Sequence, residues 1–200
     1  MSKQVQFYFD VGSPASYLAW TQLPSLCQST GAELVCKPML LGGVFQATGN
    51  ASPATVPAKG RYIHMDFARH ARQYGVPFER NPHFPIMTLF LMRVVAGVQL
   101  RQPERLQPLL AAIFKAIWVD GLNLNDAGIT AQTLIDAGFD ATQMQALAAD
   151  AQVKAVLKSV TEEAVAKGVF GAPTMFVADE MFFGQDRLEM VREALVGTDV

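Results

Sequence analysis

Apolar and polar residues alternate from Val5 to Phe9, where Val5, Phe7 and Phe9 are separated by Gln6 and Tyr8. A period of two in an aromatic-rich run predicts a strand. From Pro14 to about Ser29 the period lengthens. Tyr17, Leu18, Trp20, Leu23 and Leu26 recur at helical spacing, and Gly31 follows as a stop signal. Glu33 to Pro38 reads as a second strand. The chain thus opens β-α-β with a helix long enough to cross over, which favours parallel pairing and a right-handed connection.

After Met39 the pattern breaks up. Gly42, Gly43, Gly49 and Gly60, with Pro53 and Pro57, predict one long loop from Leu40 to Gly60, and loops of that length usually carry function or are disordered. Helical spacing then prevails over Lys59–Tyr74, Thr88–Val98, Pro103–Val119, Ala131–Ala137, Ala141–Ala149 and Ala151–Lys167, with glycine or proline breaks between the earlier ones. Strand character returns at Pro173–Ala178 and Met181–Phe183, and a last helix runs from about Asp186 to Val196. The order is β-α-β, a helical block, then α-β-β-α. Without the block it is the thioredoxin order. The predicted class is therefore α/β: a thioredoxin-like fold with a large inserted all-helical domain. Residues 1–40 and 168–200, with the helix 151–167, form the first part, and 41–150 the insertion.

Composition narrows the function classes. Two hundred residues suffice for a sizeable core. A net charge of −2, from 16 basic and 18 acidic side chains, gives no general attraction to nucleic acid or anionic membrane. No run reaches the roughly 18 apolar residues of a membrane helix. The start, MSKQVQFYFD, lacks the charged and apolar regions of a secretory signal, so the expected location is cytoplasmic. Cys27 and Cys36 are nine apart and form neither a Cys-x-x-Cys nor a metal spacing, which reads as two buried thiols. His64, His70 and His83 form no metal set, and no metal is expected. Trp20 and Trp118 read as packing residues. Met39, Met65, Met87 and Met92 read as core filler, some of them able to line an apolar pocket.

Three stretches carry candidate chemistry. In FYFDVGSPASYLAW a strand runs through a turn at Gly12 into a helix opened by Ser13 and Pro14. Serine as N-cap before a proline is an ordinary helix start. The same helix end offers free N–H groups and partial positive charge, which favour an anion such as a thiolate. Ser13 and Ser16 stand where many such sites have two cysteines, so dithiol–disulfide exchange is excluded. In GAPTMFV, Pro173 opens a strand. It is either a plain strand-initiating proline or a cis-proline whose preceding residue offers its backbone to an extended peptide. In FFGQDRLEM, Asp186 and Glu189 match a capping box. The same turn could instead hold an amino acid, with N–H groups on its carboxylate and Asp186 on its ammonium.

These stretches, with TGNASPATVPAKGRYIHMDFAR, VFGAPTMFV and FFGQDRLEMV in order along nearly the whole chain, resemble the 2-hydroxychromene-2-carboxylate isomerases. Those isomerases stand with the kappa-class glutathione transferases in the DsbA-like branch of the thioredoxin fold. The resemblance implies glutathione as cofactor, a small aromatic substrate and a homodimer. It implies that Ser13 contacts the glutathione sulfur and that Asn50 and Lys59 reach the tripeptide, with Lys59 facing a carboxylate. Ala172, before cis-Pro173, would pair with the cysteinyl part through its backbone, and Gln185 and Asp186 would hold the γ-glutamyl end. Phe84, in NPHFP, would line the substrate site, and Arg187 follows the family pattern.

The implied reaction interconverts 2-hydroxychromene-2-carboxylate and trans-o-hydroxybenzylidenepyruvate, a step of naphthalene-type aromatic catabolism. A thiolate adds reversibly to a conjugated carbon, the bond rotates, and elimination returns glutathione. Ser13 would stabilise the thiolate and not attack the substrate itself, because no His or carboxylate stands in the sequence as its evident base. Two other readings fit the motifs. One is a kappa-like transferase that leaves a glutathione conjugate. The other is a non-catalytic thioredoxin-like module that binds partners along the cis-proline groove.

Overall fold

The computed structural model of the protein describes residues 3–197. The sheet has four strands, β1 (Gln4–Phe9), β2 (Glu33–Pro38), β3 (Thr174–Val177) and β4 (Glu180–Phe183), in the order β2-β1-β3-β4. β1 and β2 pair in parallel across the helix α1 (Pro14–Thr30). β3 runs antiparallel to β1, and β4 antiparallel to β3. The α/β thioredoxin-like class expected from the element order is thus the observed one.

The period of two in β1 assigns its side chains to two layers. Val5, Phe7 and Phe9 join Met175 and Val177 under α1 and α9 (Leu188–Gly197), and the Phe7 and Phe9 rings stack at 4.8 Å. Tyr8 and Phe176 point the other way, toward α2 (Leu41–Thr48) and α8 (Ala151–Ala166), and meet edge-on at 5.7 Å. On that side the Tyr8 hydroxyl donates to Glu163, which also pairs with Lys37 at 3.1 Å.

The first layer continues into the helical block: α3 (Pro57–Tyr74), α4 (Leu89–Arg101), α5 (Leu106–Trp118), α6 (Ala127–Asp136) and α7 (Ala141–Ala149). α4 and α5 are buried along most of their length. Gly97 lets α4 approach α7, since a Cβ there would stand 2.5 Å from Leu147. Two contacts tie this block to the turn after β1. The Trp118 indole donates to the Val11 carbonyl at 2.9 Å, and the Val11 N–H meets the Met92 sulfur at 3.4 Å.

Several expectations need correction. The stretch from Leu40 to Gly60 is not one loop: it holds α2, a short 3-10 turn at Pro53–Thr55 and the start of α3. Leu41, Val44, Phe45 and Thr48 have helical spacing. Val44 is fully buried against α8, and Gly43 permits that packing, because a Cβ there would lie 3.3 Å from Thr161. Tertiary contact outweighs the low helix propensity of the paired glycines. α6 begins four residues earlier than predicted because the Asp126 carboxylate caps it through the Gly128 and Ile129 N–H groups. Of the four methionines named above, Met39 and Met92 are core, whereas Met65 and Met87 are exposed. Cys27 and Cys36 are free and buried, and burial pushes both thiols up to about 11. Among the described residues no helix is long and apolar enough to cross a membrane, and no cluster of His, Cys, Asp or Glu could hold a metal.

Candidate active site

β1 ends at Phe9 and the chain turns through Asp10, Val11 and Gly12 into α1. Gly12 is required by proximity: a Cβ would lie 2.7 Å from the Thr88 methyl. Ser13 is the N-cap of α1. Its Oγ accepts from the Ser16 N–H at 3.1 Å and donates to the Ala172 carbonyl at 3.0 Å. Pro14 occupies the first helical position, where its missing N–H costs nothing. Ser13 is 5% exposed, so its hydroxyl stands at the floor of a cleft and not on open surface.

The floor is fixed by Asp10, which is 1% exposed. One carboxylate oxygen accepts from the Gly12 N–H at 2.9 Å. The other accepts from the Leu41 N–H at 2.9 Å and the Thr88 hydroxyl at 3.0 Å. Asp10 therefore ties the Ser13 turn to the start of α2 and to the residue before α4. Burial pushes its carboxyl pKa up, against the opposing effect of those three donors.

Opposite Ser13 runs the segment before β3. The Ala172–Pro173 peptide is cis, as the second reading of that proline required. Pro173 is buried, and its carbonyl accepts from the Gly184 N–H at 3.0 Å. That bond brings the Gly184–Gln185–Asp186 turn beside the cis-proline. Gly184 has φ +105, a left-handed conformation that favours glycine, and the Asp186 carboxylate lies over it. The Tyr74 hydroxyl donates to the Gln185 carbonyl at 2.7 Å and so fixes the turn from α3. The capping box is not formed. Asp186 lies within a 3-10 turn and pairs with Arg187 at 2.6 Å, while Glu189 pairs with Arg192 at 3.0 Å. The sequence spacing fits, but α9 proper starts only at Leu188, so Glu189 is in its first turn and not three residues inside it.

A cleft of about 850 Å³ opens over these elements, a size suited to a small-molecule ligand. The structure brings Ser13, Asn50, Phe84, Ala172, Gln185 and Asp186 to its walls, with Arg187. Pro173 is buried behind Ala172. Lys59 is not a wall residue. It is exposed on the first turn of α3, next to Gly60, which does line the cleft. The Asn50 amide donates to the Phe170 carbonyl at 2.8 Å.

The cleft is largely apolar, with Phe45, Ile63, Phe67 and Phe84 among its walls. Ser13, the 185–187 turn, Asn50, His64, Asp66 and Thr88 supply polar groups. Phe84 is half-buried between His64 and Trp118. Burial, helped by the Arg80 charge, pushes the His64 pKa down and keeps its imidazole neutral at pH 7. Ser16, one turn into α1, is fully buried, and its Oγ has no hydrogen-bond partner among the described residues.

Sequence reasoning missed Asp10, Phe45, His64, Thr88 and Tyr74. Asp10 follows the strand directly, which is a signal of a kind. Its role depends on Leu41 and Thr88, which are distant in the sequence.

Comparison with known proteins identifies the family of the chain. A family model described as a DSBA-like thioredoxin domain matches residues 4–196. The chain is 30% identical over 198 residues to a 2-hydroxychromene-2-carboxylate isomerase of Sphingobium xenophagum, covering 98% of this chain and 100% of the relative. It is 28% identical over 206 residues to glutathione S-transferase kappa 2 of Caenorhabditis elegans, covering 96% and 92%. A solved 2-hydroxychromene-2-carboxylate isomerase superposes with a TM-score of 0.85 at 27% identity, covering 98% of this chain and 95% of that one.

Proposed function

The chain belongs to the DSBA-like thioredoxin family, among the 2-hydroxychromene-2-carboxylate isomerases and kappa-class glutathione transferases, and from that premise we propose that it is a glutathione-dependent isomerase of a small aromatic carboxylate. The observation that carries the reading is the pairing of Ser13, at a helix N-terminus with no cysteine, with the Ala172 backbone across 3.0 Å at the head of a largely apolar cleft.

A free thiol has a pKa near 8.5 and is mostly protonated at neutral pH, whereas the thiolate is the nucleophile. In this mechanism the Ala172 carbonyl would accept a hydrogen bond from the cysteinyl backbone of glutathione. The Ser13 hydroxyl, released from that carbonyl, turns to the sulfur. Its donated hydrogen bond and the N-terminus of α1 favour the thiolate. Gln185 and Asp186 hold the γ-glutamyl end, and Asn50 the middle of the tripeptide. Lys59 reaches a carboxylate from its exposed turn along its flexible four-carbon stem. The ring of the substrate packs on Phe84.

When bound, glutathione would supply a thiolate able to add reversibly to the conjugated carbon of the keto form of the substrate, which is reached when the hemiketal C–O bond of the ring breaks and the hydroxyl proton passes to the phenol oxygen; elimination would return the thiol unchanged. The preferred substrate pair is 2-hydroxychromene-2-carboxylate and trans-o-hydroxybenzylidenepyruvate, in a cytoplasmic homodimer.

The near-equal likeness to kappa-class transferases favours a second reading, in which the cleft joins glutathione to an electrophile and releases the conjugate. The fate of glutathione separates the two. We expect that, over many turnovers of the hydroxychromene carboxylate, free thiol titrated in the mixture stays constant. Stoichiometric loss of thiol would establish the transferase reading instead.

A further inference from the structure

A second cavity, of about 600 Å³, lies among α4, α6, α7 and the start of α8. Met87 and Leu89 line both cavities, so the two share a wall. The space exists because the facing helices present small side chains: Ala127 and Ala131 from α6, Ala141 and Ala148 from α7. Leu89 and Phe90 of α4, with Leu134, add further apolar surface, while Asn125, Thr130 and Gln145 add uncharged polar groups.

Two cations stand in this lining, Arg93 of α4 and Lys154 of α8, and no carboxylate does. Arg93 is half-buried and, among the described residues, its side chain makes no hydrogen bond or ion pair. Lys154 is exposed, its side chain makes no hydrogen bond among the described residues, and it lies within electrostatic reach of Asp150. Arg101, two turns along the same helix, is by contrast bonded to Gln152 and close to Asp150. A half-buried guanidinium without a counter-charge, in a lining that holds a second cation, is complementary to an anion, and its planar fork matches a carboxylate. Walls of alanine, leucine and phenylalanine suit an apolar body.

We propose that this cavity is a second ligand site, for an apolar carboxylate whose body fills the space between α4, α6 and α7 and whose carboxylate pairs with Arg93, with Lys154 as a second cation of the same lining. The site uses no residue assigned to glutathione and does not depend on that assignment.

The probes are 2-naphthoate and octanoate, a flat and a flexible apolar carboxylate, titrated into the isotope-labelled full chain while its backbone amide resonances are followed. The expected result is saturable shifts in α6 and α7 that persist in Ser13→Ala. Affinity should fall roughly tenfold or more in Arg93→Gln, which removes a charge-assisted bond, and should be lost in Ala131→Phe, which fills the cavity and leaves both cations in place. Tighter binding of naphthoate identifies an aromatic acid as the occupant, and tighter binding of octanoate an acyl chain. Shifts confined to the Ser13 cleft overturn the proposal, as does unchanged affinity in Arg93→Gln. So does the absence of probe binding together with an altered oligomeric state in that variant, which would make the face an interface between copies.

Discussion

At the scale of single residues, Ser13 holds two jobs that one substitution separates. Its Oγ caps α1 through the Ser16 N–H and bonds the Ala172 carbonyl. Replacing an N-cap serine by alanine typically costs about 1 kcal/mol. In a chain of this size that is a drop of roughly 2–4 °C in midpoint temperature. Ser13→Ala should therefore unfold slightly earlier in a thermal melt, while any loss of glutathione activation is much larger than so small a destabilisation accounts for. A melt lowered by tens of degrees would mean that Ser13 is chiefly structural. Asp10 and Trp118 act one step back. The first ties the Ser13 turn to α2 and Thr88, the second holds the Val11 carbonyl from α5. Neither role was legible in the sequence. Each rests on a contact between residues more than thirty positions apart.

At the scale of elements, what could be read was whatever has a local period. β1, α1, β2 and α7 stand where alternation and helical spacing put them. α2 was lost because Gly42 and Gly43 mask its spacing, and only its packing on α8 makes it a helix. The cis-proline was anticipated, but from resemblance and not from spacing. α8 also carries a testable charge cluster. Burial raises the Glu163 pKa, but hydrogen bonds from Tyr8 and Lys37 and the charges of Lys37 and Lys167 outweigh it, so the net shift is down from 4.5. A depressed carboxyl stabilises the fold above its unfolded pKa, and that contribution fades as pH falls through the folded one. Glu163→Gln should accordingly be less stable than the parent near neutrality. The two denaturation curves should converge as pH drops below about 4.5. A gap that stays constant with pH would place the effect in packing.

At the scale of the molecule, the cleft belongs to no single element. The turn after β1 and the start of α1 supply its floor, the segment before β3 and the 185–187 turn supply one set of walls, and α2, α3 and the 84–89 stretch supply another. The main core runs without a break from the sheet into α4 and α5, which holds these walls in fixed register. That assembly explains why a serine can stand where related folds use thiols. The site has no thiolate of its own, and the claim is that it stabilises one brought by glutathione. The most direct test is a titration of the bound glutathione thiol, followed by its ultraviolet thiolate absorbance across pH, in the parent and in Ser13→Ala. The account predicts a thiol pKa below the free value of about 8.5 in the parent and a return toward that value in the variant. Glutathione that binds with an unchanged pKa in both, or does not bind at all, would contradict it.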